Sequence, residues 1–312
     1  VATSGSKNFT MTRATIIETA YRKTGEFDIG ESIQGDEIAA ASIALNLIVK
    51  ELTARGADIW LRDDITLFLQ PDQQSYALGT ANATLSYNET TLSAAEASGQ
   101  TVISVTSSAS MTAADVVGIK MDDNTIHWTT IVSVDSSTQI TITDATDDDA
   151  ASGNKVYAYT TAAGRPVKIV SAFRRDTSAI DTRIDMIGET DYRELSNKAA
   201  NGPPTQAWYQ PTLTTGTLYV WPVDGGSSVD KVVLSAQFHA DDFDTSSDNP
   251  EFPIEWANVL VWLLASELAP ELGVPEREQA KLFQIAEYKL ETALSWDTEN
   301  ASLIIALDGS GR

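Results

Sequence analysis

Apolar positions recur at helical spacing in four stretches of the chain and alternate with polar ones through most of what lies between. Thr12 offers an N-cap, Ile17, Ala20 and Tyr21 share one face, Arg22 and Lys23 suit the negative end, and Gly25 ends the run, so a helix is expected over Arg13–Thr24. A second helix follows. Asp36 and Glu37 open its first turn, Ile38, Ala41, Leu45, Ile48 and Leu52 repeat along one face, and Arg55-Gly56 closes it. Far along the chain Pro253 and Glu255 start a helix to about Leu268, in which Val259, Leu260, Trp262, Leu263 and Leu264 leave little polar face. Such a helix must be buried on most sides. After a short linker, Pro275 restarts a longer amphipathic helix with Phe283, Ala286, Leu290 and Ala293 on one face. The first pair should pack together, and the second should form an antiparallel hairpin.

Between the helix pairs the period is two. Ile65, Leu67 and Leu69 alternate with Thr66, Phe68 and Gln70, the turn Pro71-Asp72 follows, and 74–78 is extended again, which predicts a β-hairpin. Residues 80–163 change composition, with ten acidic residues against two basic ones and many Thr, Ser and Ala. There Val117, Ile119 and Met121 alternate, as do Ile126, Trp128 and Val132, then Ile140 and Ile142, then Val156 and Ala158, with Asp-rich turns between them. A small all-β barrel or sandwich fits that rhythm. Strands are expected again at 167–173 and 183–186, a short helix at 190–197, a hairpin over 207–221, and a strand carrying Val232, Leu234, Ala236 and Phe238 inward.

The fold class this predicts is α+β. A helical bundle core, made of the N-terminal helix pair and the C-terminal helical hairpin, carries an antiparallel β-sheet and an inserted small all-β barrel or sandwich domain. The expected domains are 1–79 with 164–312 as core and 80–163 as insertion. A tail, 297–312, holds the apolar stretch 302–307 between polar flanks.

Composition narrows the function. The 312 residues are enough for a sizeable core, and the absence of cysteine removes disulfides, thiolate zinc sites and cysteine nucleophiles. Lys and Arg number 21 against 44 Asp and Glu, a formal charge of −23, which repels a phosphate backbone. The alternatives are a merely soluble acidic surface or an acidic wall along which DNA slides without sticking. The first ten residues have neither a basic n-region nor an apolar h-region, and no stretch is apolar enough for a bilayer, so a cytosolic protein without a membrane span is expected.

Candidate chemistry is sparse. Neither His127 nor His239 has catalytic or metal-ligand spacing, and no phosphate loop, dinucleotide fingerprint, nucleophile elbow or zinc-protease motif is present, so no enzyme activity and no cofactor is expected. The Asp runs at 144–149 and 241–248 lack the glycine and glutamate of a calcium loop and suit turns. Trp208, Tyr219 and their neighbours suit either a cross-strand cluster or a sugar-stacking platform. A receptor- or sugar-binding tail component is therefore one open alternative, and an enzyme with paired carboxylates another.

The order of segments resembles the head-to-tail adaptors, or connectors, of short-tailed bacteriophages, the group of tail tubular protein A and the tail accessory factors. The resemblance is carried by 11–24 and the long second helix, by Gln74-Ser75-Tyr76-Ala77-Leu78, and by Pro203-Pro204 through Trp208-Tyr209. Leu218-Tyr219-Val220-Trp221-Pro222 and Phe252-Pro253-Ile254-Glu255-Trp256 complete it, and 117–161 is similar to a β module of the larger members. It implies a virion structural protein, assembled in the host cytoplasm into a homo-oligomeric, usually dodecameric ring. The ring would bind the portal protein on one side and tail nozzle or fibre proteins on the other, and DNA would pass through it unread. The expected portal interface is Leu303, Ile304, Ile305 and Leu307. The expected ring interface is Trp256, Val259, Leu260, Trp262 and Leu263, because a nearly all-round apolar helix exceeds what a lone hairpin can bury.

Overall fold

The computed structural model describes residues 8–27, 31–55, 61–79, 83–226 and 229–296. Its helices are α1 (Arg13–Thr24), α2 (Gly35–Ala54), the short α3 (Glu189–Glu194), α4 (Ala257–Leu268) and α5 (Glu276–Trp296). By internal contacts the chain divides into a helical unit, 1–61 with 239–312, and a β unit, 62–238.

Capping chemistry places the first two helices. The Thr12 hydroxyl accepts from the Thr15 N–H at 3.4 Å, and Gly25 leaves the helix at φ 83°, a left-handed cap that side chains resist. At the start of α2 the Glu37 carboxylate accepts from the Gln34 N–H at 2.8 Å. Ile16, Ile17 and Tyr21 of α1, Leu45 and Leu52 of α2, and Leu290 of α5 close around Leu260, Leu264 and Leu268 of α4. The all-round apolar helix is thus the centre of its own unit. On α5 Leu282, Ala286 and Leu290 are buried, whereas Phe283, expected on that face, is 59% exposed.

The β unit holds two sheets. Its strands are β1 (Arg62–Phe68), β2 (Ser75–Leu78), β3 (Ala83–Thr84), β4 (Asn88–Thr91), β5 (Val102–Ser104), β6 (Val116–Lys120) and β7 (Ile126–Ser136). They continue with β8 (Gln139–Ile142), β9 (Lys155–Tyr159), β10 (Lys168–Asp176), β11 (Asp181–Met186), β12 (Gln206–Pro211), β13 (Gly216–Trp221) and β14 (Val229–Gln237). The large sheet runs β2-β13-β12-β11-β10-β14-β1-β3 and the small one β4-β9-β6-β7-β8-β5. Ile65 and Leu67 of β1 share one apolar cluster with Tyr76 and Leu78 of β2, from the opposite end of the strand order, so the large sheet curls around its interior.

Two expectations are corrected here. The core is not a helical bundle: the protein is mostly β, with sheets of eight and six strands that enclose apolar interiors of their own. The hairpin expected across Pro71-Asp72 is not one either. β1 pairs with β14 and β3, while β2 pairs with β13, so the turn joins strands that never hydrogen-bond to each other. The hairpin over 207–221 does form, with Trp208 opposite Tyr219.

The chain enters and leaves the small sheet side by side, where the Ala163 N–H donates to the Ala83 carbonyl at 2.8 Å. Val117, Ile119, Ile140 and Val156 fill the interior of this sheet together with Ile131 of β7. Ile126 and Trp128 point the other way, onto Phe68 of the large sheet, and Val132 on their side is 54% exposed. Strand β7 therefore serves two apolar surfaces. The backbone of Gly118 lies under the Trp128 ring, close enough that a Cβ there would sit 2.5 Å from a ring carbon.

Candidate functional site

Among the described residues the helical unit leaves several apolar patches uncovered, and two of them flank α5. On α2 the face of Ala41, Leu45, Ile48 and Leu52 is buried, but Ile43 and Leu47, one turn apart on another face, are 64% and 66% exposed. Beside them runs a groove between α2, the end of α4 and α5. One part, about 340 Å³, is lined by Ile43, Leu47 and Leu268, and a second part, about 230 Å³, by Leu52, Leu263 and Phe283. Both parts share Ile48, Glu51 and Glu267. Glu271 and Glu287 add to the rim, and Arg55 reaches Glu51 at 2.7 Å and Glu287 at 3.7 Å.

The second patch lies on the other flank of the buried stripe of α5. A cavity of about 250 Å³ separates Trp256 and Val259 from Lys289, Thr292 and Ala293. One turn back along α5, Ile285 and Tyr288 are 37% and 65% exposed, and Ile254 beside Glu255 is 39% exposed. Exposed apolar groups are ordinary when scattered singly. Clustered in grooves, they stand out as candidate sites for a partner chain or a ligand.

The five residues expected at a ring interface are divided by the fold. Trp256, Val259 and Leu260 are buried among α1, α2 and α5 of the same chain. Trp262 and Leu263 are half-buried: the Lys23 ammonium stands 5.2 Å over the Trp262 ring, and Leu263 lines the first groove. Leu303, Ile304, Ile305 and Leu307 lie outside the described residues. Ile43, Leu47, Ile285 and Tyr288 escaped the sequence reading. Their signal was a second apolar spacing on each helix, off the principal stripe.

The remaining candidates are engaged in structure. Trp208 stacks on Tyr219 at 4.8 Å under the ring of Tyr192 from α3, and Trp208 and Tyr192 are both buried. His127 is buried, its ring nitrogens 2.7 Å from Asp147 Oδ2 and 3.2 Å from the Asp144 carbonyl, which fastens β7 to the 144–149 turn. Asp149 accepts from the Ser98 N–H at 2.8 Å. In the second acidic run Asp248 accepts from the Asp244 and Thr245 N–H groups, and Asp242 pairs with Lys50 at 2.7 Å. The hydrogen bonds at Asp248, with Thr245 foremost, lower its carboxyl pKa. Among the described residues no helix is long and apolar enough to cross a membrane.

Comparison with solved structures finds VP17, a capsid protein of bacteriophage P23-77, at 12% identity over 61% of this chain and 78% of that one, with a TM-score of 0.12. A likeness of that size carries no argument about fold or function. No family model matches the chain. No curated protein matches it either.

Proposed function

We propose that this chain is a structural protein of the virion, a head-to-tail adaptor that forms a homo-oligomeric ring between the portal and the tail nozzle of a short-tailed bacteriophage. The observation that carries this reading is the pair of separate apolar patches on the helical unit. An adaptor ring meets a copy of itself on each flank and a different protein besides, and so needs several unlike surfaces of the kind that separate apolar patches supply. The resemblance supports it further, since its segments build α1, α2, β2, β13 and the lead into α4.

In this reading the Ile285 and Tyr288 flank, next to Trp256 and Val259, meets the adjacent subunit. The tail residues Leu303, Ile304, Ile305 and Leu307 dock on the portal, and residues 80–163 form an inserted β module toward the nozzle or fibres. The formal charge of −23 keeps DNA from adhering as it passes. The chain does no catalysis and needs no cofactor, and it works in the neck of the particle after assembly in the host cytoplasm.

The test is assembly on purified portal, read by electron microscopy and sedimentation. Wild-type protein should form closed rings on the portal. Ile285→Asp with Tyr288→Asp should abolish the ring while costing about 1–2 kcal/mol of unfolding stability, because Tyr288 is 65% exposed but Ile285 only 37%. Rings that assemble undiminished from the double variant would remove this flank from the subunit contact.

A further inference from the structure

We infer that the groove between α2, the end of α4 and α5 docks a basic amphipathic helix from a partner protein. Its floor is apolar and open, with Ile43 and Leu47 about two-thirds exposed and Phe283 at 59%. Its rim is acidic. Among the described residues lining it, Glu51, Glu267, Glu271 and Glu287 stand against one guanidinium, that of Arg55, which is already divided between Glu51 and Glu287. The helix ends add charge of the same sign. The last turns of α2 and α4 both border the groove and neither carries a basic residue, so the carbonyl ends of two helices and the carboxylates reinforce one another. Such a site is short of cations, and a partner that brings them offsets the repulsion.

Charge also selects the occupant. A second copy of the same surface would set carboxylates against carboxylates. The apolar stretch 302–307 of the chain itself is flanked by Asp297, Glu299 and Asp308, with Arg312 as the one basic residue in 297–312. That segment carries the wrong sign for the rim. A helix with leucine or isoleucine on one face and lysine or arginine along its edges satisfies floor and rim together. This goes beyond the adaptor reading and holds whether or not the chain forms a ring.

The probe is a synthetic helical peptide of about four turns, leucine on one face and lysine on the other, titrated into the full chain by fluorescence anisotropy. A counterpart with glutamate for lysine is the control. The lysine peptide should bind and the glutamate peptide should not. Leu47→Ser, which leaves the charge unchanged, should weaken binding about tenfold. Glu267→Gln with Glu271→Gln should weaken it by a similar factor and flatten its salt dependence. Ile180→Ser, at an aliphatic residue 61% exposed on the β unit, should change nothing. All these side chains are exposed, and an unchanged melting temperature shows that each variant is folded.

No binding of the lysine peptide, equal binding of the glutamate peptide, or a loss with Ile180→Ser as large as with Leu47→Ser would overturn the inference. Sedimentation of the same variants keeps the two readings apart. If Leu47→Ser abolished self-association and left peptide binding intact, the occupant would be a second copy. The inference would then fall while the ring stood.

Discussion

Phe68→Ala should destabilise the β unit by about 3–5 kcal/mol, the usual cost of emptying a fully buried aromatic site. Phe68 ends β1 in the large sheet and has no exposed surface, yet its ring packs on the residues of the small one. Its centroid lies 4.6 Å from Tyr157 and 5.2 Å from both Tyr87 and Trp128. Rings that rigid cannot collapse into the vacated space, so the cavity persists. Chemical unfolding followed by tryptophan fluorescence measures the loss, with Trp128 as a reporter in contact with the site. A loss below about 1 kcal/mol would mean that the two sheets do not rest on this ring.

The second large effect is asymmetric. Lys231, opposite Phe68 in the ladder of β1 and β14, has a side chain only 7% exposed. Its ammonium donates to Glu89 at 2.7 Å and to the Tyr87 hydroxyl at 3.0 Å, and sits 5.0 and 5.2 Å over the rings of Tyr87 and Tyr157. Glu89→Ala strands that charge in the interior and should cost about 2–4 kcal/mol. This is less than a wholly dry pair would lose, because the Glu89 side chain is 36% exposed and water stays near. Lys231→Met removes the charge, keeps most of the volume, and leaves Glu89 with water and with Lys155 at 3.6 Å, so it should cost less than half as much. Equal costs would show that the pair contributes packing alone.

The same lysine gives a pH dependence. Burial pushes its pKa down, but the hydrogen bonds to Glu89 and Tyr87 outweigh burial and hold it above the ordinary value of 10.5. The stabilisation from a raised lysine pKa is complete below that ordinary value and is lost as pH climbs through the folded-state pKa. The stability difference between wild type and Lys231→Met should therefore be flat from neutral pH to mildly alkaline pH and narrow only above 10.5.

Local chemistry was legible in the sequence, and partnership was not. Thr12 and Gly25 fix both ends of α1 because caps act within a few residues. Pro71-Asp72 announces a turn but says nothing of which strands pair, and β1 and β2 find partners more than a hundred residues away. The weight given to helices followed from their length. Four long periodic runs are conspicuous, while strands of two to eleven residues divided between two sheets leave weaker individual marks, as do the four-residue β2 and β4. The apolar surplus of α4 is real, but α1, α2 and α5 all cover it, where the sequence pattern points to a hairpin partner alone.

The candidate site was half hidden for a related reason. A search for one buried stripe per helix finds Ala41, Leu45, Ile48 and Leu52 and passes over Ile43 and Leu47, which are as apolar but project elsewhere. On α5 it chose Phe283, which lies outside, in place of Leu282, one position earlier, which lies inside. A shift of one residue turns a side chain by about 100° around the helix, enough to move it from core to rim. Two apolar stripes on one helix are the pattern that would have disclosed the patches.

The central claim is that this chain assembles through its helical unit into a ring in the neck of a phage particle. Electron microscopy of the particle that carries it, at residue resolution, tests this most directly. The account predicts a closed ring of this chain between portal and nozzle, with Ile43, Leu47, Ile285 and Tyr288 all covered by neighbours. The chain found in the capsid lattice or in a fibre, or in a ring that leaves those four side chains in solvent, would contradict it.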